Sequence, residues 1–150
     1  GMAGAPAGGD TRVVTRLIFA VLALFIIQTL LAPSIRYLLA GYGTGARLRI
    51  ALGPRDEQPP LSLVGARAER ALANMYEALP VFLTVALLHV VARTPGGLAI
   101  TGASVFLAAR VLYVPAYLVG VTGLRSLLWM CGHAGLTAMA LALFAGERAV

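Results

Sequence analysis

Four long apolar runs govern what this chain can fold into. They extend from about Leu17 to Ile35 and on toward Ala40, from Ser62 to Ala92, from Leu98 to Val119, and from Leu124 to Phe144. Each is close to the roughly 20 helical residues that cross the hydrocarbon core of a bilayer. Lipid offers no water to a backbone amide, so a spanning segment folds as a helix unless a closed barrel can form. No stretch alternates apolar and polar residues as a barrel strand does. The expected fold is therefore all-α, an integral membrane four-helix up-and-down bundle. Thr94-Pro95-Gly96-Gly97 and Gly120-Val121-Thr122-Gly123 are short connections, so the last three helices must be antiparallel neighbours. The first connection is longer. Gly41 to Gly45 ends the first helix, Arg47 to Pro60 reads as a polar loop, Pro59-Pro60 bars helix, and Ser62 is placed to cap the next one.

Composition agrees with the runs. Hydrophobic residues make up 59 % of the chain and charged ones 12 %, whereas a soluble domain is about a quarter charged. The net charge of +6 comes wholly from arginine. These arginines are scattered between apolar segments rather than gathered on one solvated, aromatic-studded face, which excludes a nucleic-acid partner. One cysteine, Cys131, leaves no intramolecular disulfide, and beside Trp129 and Met130 it reads as a packing residue. His89 and His133 have no acidic or thiol neighbour at ligand spacing, so no metal site is expected. Residues 1–11 read as a disordered tail and residues 12–148 as the membrane domain. Arg12 and Arg16 before an apolar run imitate a signal peptide, but the run is too long and lacks a small-residue cleavage site. Near the segment ends, Arg47, Arg49, Arg55, Arg67 and Arg125 lie on one side and Arg12, Arg16, Arg93 and Arg148 on the other. That distribution favours a cytoplasmic first loop.

Two polar stripes interrupt the apolar pattern. At 100° per residue Arg67, Arg70, Asn74 and Glu77 share one face of the second helix. Arg110, Tyr113 and Tyr117 share one face of the third, with Arg110 near mid-membrane. Charge inside a bilayer is costly unless it meets a partner, so both stripes are functional-site candidates. Donors outnumber acceptors: Arg67, Arg70 and Arg110 face a single carboxylate deep in the span, Glu77. An anionic guest carrying carboxylates, amides and an amine would balance them. The bland readings are that Arg67 and Arg70 snorkel to the headgroups, that the tyrosines form an interfacial belt, and that Glu77 pairs internally with Arg70 or Arg110.

With these stripes located, the chain resembles the MAPEG superfamily, the membrane-associated proteins of eicosanoid and glutathione metabolism. The resemblance runs from about Arg47 to Gly146. It rests on Arg70-Ala71-x-x-Asn74-x-x-Glu77-x-x-Pro80, on Ala109-Arg110-x-x-Tyr113-x-x-x-Tyr117, and on Leu124-Arg125-Ser126, in that order on successive helices. The Leu52-Gly53-Pro54-Arg55-Asp56-Glu57 loop looks like a bacterial branch. The resemblance implies a homotrimer in the bacterial inner membrane, in contact with lipid, that binds glutathione between subunits on the cytoplasmic side. Arg70, Asn74, Glu77, Arg110, Tyr113 and Tyr117 would bind the tripeptide, together with a helix-one arginine. Arg49 fits that last position by distance, Arg47 nearly as well, and Arg36 is a third candidate. Arg125 with Ser126 would carry catalysis, Arg125 by stabilising the thiolate. The implied activity is a glutathione-dependent transferase or peroxidase acting on lipophilic electrophiles or hydroperoxides. Because some members of the superfamily bind without turnover, a non-catalytic binding or scaffold protein is the alternative. Departures from the pattern are Ala73 before Asn74 and Tyr113 in combination with Arg125-Ser126, which together leave the second substrate open.

Overall fold

The computed structural model describes residues 7–54, 56, 59–93 and 96–147. They form α1 (Ala7–Leu38), α2 (Thr44–Leu52), α3 (Leu63–Ala92), α4 (Gly97–Val119) and α5 (Thr122–Glu147). No strand occurs among the described residues. α1, α3, α4 and α5 are long and apolar enough to cross a membrane, which makes this an integral membrane helix bundle.

Two expectations change. α1 begins at Ala7, so residues 7–11 of the expected tail are helical, while residues 1–6 lie outside the described residues. Asp10 sits in the first turn of α1, where a carboxylate suits the helix dipole. Its Oδ2 accepts from the Gly96 backbone N–H at 3.1 Å, tying the start of α1 to the start of α4. The second change is in the polar loop, which contains α2. Its Ala, Leu and Arg content favours helix, but among the described residues it buries none of its own and, of the other helices, packs on α1 alone. Arg55, Glu57, Gln58, Thr94, Pro95 and Arg148, used above in the loops and the charge distribution, lie outside the described residues.

The caps follow the sequence. Ser62 Oγ accepts from the Gly65 N–H at 3.0 Å and starts α3. Gly120, at φ 88°, ends α4 in the left-handed conformation and returns its N–H to Ala116 O at 3.1 Å. A turn this tight lays α4 and α5 together as the most intimate pair of the bundle. Helices in lipid gain little from the hydrophobic effect and associate by close packing of small residues. Gly102 and Gly135 meet in this way. A Cβ added to either would lie 2.5 Å from the carbonyl oxygen of the other, so the two backbones are in direct contact. Around that crossing lie Met75, Phe82, Ala86, Phe106 and Met139, with Phe82 and Phe106 stacked at 4.6 Å. The ring of the buried His89 bonds Met139 O at 2.8 Å, joining α3 to α5. A second, smaller cluster of Ala71, Tyr113, Ala116 and Leu128, with Tyr117 against it, lies toward the α4–α5 turn.

Candidate functional site

The site is built on that second cluster, and the first polar stripe divides there. Arg67 turns to the end of α4, where its Nη1 donates to Leu118 O at 3.0 Å and Val119 O at 3.2 Å. These carbonyls have no partner within their own helix, so Arg67 acts as a cap from a neighbouring helix. Gly120 completes the arrangement: a Cβ there would lie 2.5 Å from the Arg67 guanidinium. Arg70, one turn further on, is exposed, and its guanidinium carbon lies 6.0 Å from the Tyr117 ring centroid. Asn74 Oδ1 accepts from Arg110 Nη1. Glu77 is exposed and within electrostatic reach of Arg110 and Tyr113. It pairs with neither Arg70 nor Arg110: among the described residues the ion pair is Arg36–Glu69, at 3.1 Å. The internally paired reading of Glu77 is thereby corrected.

The second stripe stays together. Arg110 is only 2 % exposed, and among the described residues its Nε and Nη2 have no hydrogen-bond partner. Aromatic faces offset part of that cost, with the guanidinium 5.1 Å from the Phe106 ring and 5.5 Å from the Tyr113 ring. Tyr113 is buried and meets Tyr117 at 5.3 Å. From α5, the Arg125 guanidinium sits 4.9 Å over the Tyr117 ring. Ser126 is exposed, and its hydroxyl donates to Thr122 O at 3.2 Å. An open recess of about 400 Å³ is lined by Tyr113, Tyr117, Arg125, Ser126, Trp129 and Met130, within the size range of ligand clefts.

Trp129 and Met130 were read above only as packing neighbours of Cys131. Their spacing of four residues from Arg125 and Ser126 puts them on the same face of α5, which is the signal that identifies them. Trp129 also stacks on His133 at 3.9 Å.

The helix-one arginine does not join this group within one chain. Arg49 is exposed on α2, which contacts only α1. Arg47 is half-buried, with its Nε unpartnered. Arg36 donates to Glu69 and, through Nε, to Pro59 O at 3.0 Å. Arg36, Glu69, Tyr37 and Tyr76 border a separate recess of about 500 Å³ between α1 and α3. On α3 the residues facing that recess (69, 72, 76) and those of the polar stripe (70, 74, 77) lie on opposite flanks.

The sequence profile of the MAPEG family matches residues 16–145. The chain belongs to the MAPEG family. No curated protein and no solved structure matches it. The matched stretch contains both polar stripes, the Arg125-Ser126 pair and all four spans but for the first turns of α1 and the last turn of α5. In this MAPEG protein six of the expected site residues (Arg70, Asn74, Arg110, Tyr113, Tyr117 and Arg125) form one connected group across α3, α4 and α5. Glu77 and Ser126 border the group, and Arg49 lies apart from it.

Proposed function

We propose that this MAPEG protein is a glutathione-dependent membrane transferase or peroxidase of a bacterial branch, acting on small lipophilic electrophiles or hydroperoxides. The observation that carries this reading is the pair of unneutralised guanidiniums, Arg70 and Arg125, converging on one ring beside an open recess. Neither has an ion-pair partner among the described residues. Anionic groups are what this pair lacks, and glutathione carries two carboxylates and a thiol that can ionise. Arg70 holds a peptide carboxylate, as a guanidinium suits that group. Glu77 takes the ammonium, and Asn74 keeps Arg110 in place behind the tyrosines. Family membership supports glutathione as the cosubstrate.

Bound glutathione supplies the thiol: it displaces a leaving group from an electrophilic carbon or, two molecules together, reduces a hydroperoxide to alcohol and water while forming the disulfide. The chain's part is to favour the thiolate. Arg125 lies in the first turn of α5, so a guanidinium and a helix N-terminus both act on an anion placed there. A thiol with an ordinary pKa of about 8.5 becomes substantially ionised at neutral pH only with such help. Ser126 borders the same recess and can accept or donate to the sulfur. Trp129 and Met130 give the lipophilic substrate an apolar wall. The proposed assembly is a homotrimer whose neighbouring subunit supplies the missing arginine, Arg49 or one of its neighbours, with the site facing the cytoplasm.

Calorimetric titration of detergent-purified protein with glutathione tests the reading. Saturable binding is expected, weakened at least about tenfold (roughly 1.4 kcal/mol) by Arg70→Ala. A folded wild type that does not bind would sink it. Binding without thiolate absorbance would instead identify a non-catalytic binding protein.

A further inference from the structure

The residues of the site are joined through rings as well as through hydrogen bonds. Along one face of α4 an aromatic–cation ladder runs from Phe106 to Arg110 to Tyr113 to Tyr117, and Arg125 continues it from α5. The two ends of this ladder are held very differently. Arg110 is buried and bonded to Asn74. Arg125 is half-buried, and no hydrogen bond or ion pair holds its guanidinium among the described residues. What it does contact is the Tyr117 ring, at 4.9 Å. The same ring carries Arg70 at 6.0 Å and meets the tilted Tyr113 ring at 5.3 Å.

An arginine has several rotatable bonds and, left free in a recess, samples many positions. A cation over a ring face is drawn to the negative quadrupole, and a guanidinium can stack flat against it. We propose that Tyr117 is the positioning residue of this site: its aromatic ring sets the Arg125 guanidinium at the recess and also carries Arg70. This rests on the glutathione reading above and deepens it. Carboxylate binding by Arg70 and thiol activation by Arg125 then meet on one ring, and it is the ring face rather than the phenol hydroxyl that places the Arg125 guanidinium.

The test measures glutathione affinity by calorimetry and thiolate absorbance against pH on the same samples. Tyr117→Phe keeps the ring face and is expected to raise the bound thiol's apparent pKa clearly less than Tyr117→Leu does. Tyr117→Leu is expected to raise it by about one unit, a tenfold fall in the thiol's ionisation constant, with a smaller change in affinity. In an Arg125→Leu background Tyr117→Leu should add nothing to the pKa, since the ring acts through that guanidinium. Should Tyr117→Leu disturb folding, fluorinated phenylalanines at position 117 keep the shape and weaken the quadrupole, and the pKa should rise stepwise with each fluorine. A pKa indifferent to fluorination, or a loss in Tyr117→Phe equal to that in Tyr117→Leu, would overturn the proposal. Failure of wild type to bind glutathione would be a different result and would remove the site reading itself.

Discussion

The α4–α5 pair is closed at one end and open at the other. Around Gly102 and Gly135 the two backbones touch, and the neighbours are apolar and buried. Toward the turn, the same helices carry Arg110, Tyr113, Tyr117 and Arg125, and between them lies a recess of about 400 Å³. One hairpin thus has a half where the backbones touch and a half that carries an open recess. Small residues give the first its stability, because close contact is the main attraction available between helices in lipid. Large cationic and aromatic residues line the second, and among the described residues donors of Arg110 are left unpaired. Stability and the proposed recognition are placed in separate halves of one element pair.

The sharpest way to break this division is at the closed half. Gly135→Ala would place a methyl 2.5 Å from Gly102 O and 3.1 Å from Phe106 N. Neither atom can yield without moving backbone, and a loss of about 1–3 kcal/mol is expected, read as a lower thermal midpoint in detergent. Gly132, one turn back toward the open half, provides the internal control. Its added methyl would meet Arg110 Nε at 3.7 Å, an ordinary contact. Gly132→Ala should therefore leave stability unchanged or raise it, by about 0.4–1 kcal/mol.

Arg67 and Arg70 sharpen the comparison inside the open half. Arg67→Ala removes two hydrogen bonds to the end of α4. A cost of about 1–2 kcal/mol is expected at the usual worth of such bonds, seen as reduced hydrogen-exchange protection around the α4–α5 turn. Arg70→Ala should leave the thermal midpoint within about 0.5 kcal/mol of wild type, as exposed positions do, while weakening glutathione binding as described. Equal effects of the two substitutions on stability would remove the distinction between cap and ligand donor. The smallest effect is expected at Gln28, outside the pair, buried on α1 with its Oε1 unpartnered. Gln28→Leu should be neutral or slightly stabilising in thermal unfolding, because replacing an unsatisfied buried polar group removes its desolvation penalty.

Much of the fold was legible because membrane helices announce themselves locally. Length and hydropathy located the four spans, and Ser62 and Gly120 behaved as their types require. α2 was not legible, since nine residues of mixed polarity with no buried face leave no periodic signal. In the site, the α4 stripe could be read whole, because Arg110, Tyr113 and Tyr117 stay linked to one another along a single face of α4. The α3 stripe could not. Arg67 and Arg70 share a face and a residue type, and which of them meets the end of α4 depends on where α4 ends relative to α3.

The sequence by itself determined that this chain spans a membrane as helices, where the last three spans begin and end to within a few residues, and which direction each polar side chain takes around its own axis. These follow from the bilayer's thickness, the backbone's need for internal hydrogen bonds and the helical repeat. Only the tertiary structure decided what each of those side chains meets. Arg67 was made a cap, Glu69 was given to Arg36, Arg70 and Arg125 were set over the same ring, and Trp129 was brought to the recess. Such pairings depend on the offset and rotation of neighbouring helices. Those are set by how closely small residues such as Gly102 and Gly135 allow two backbones to approach.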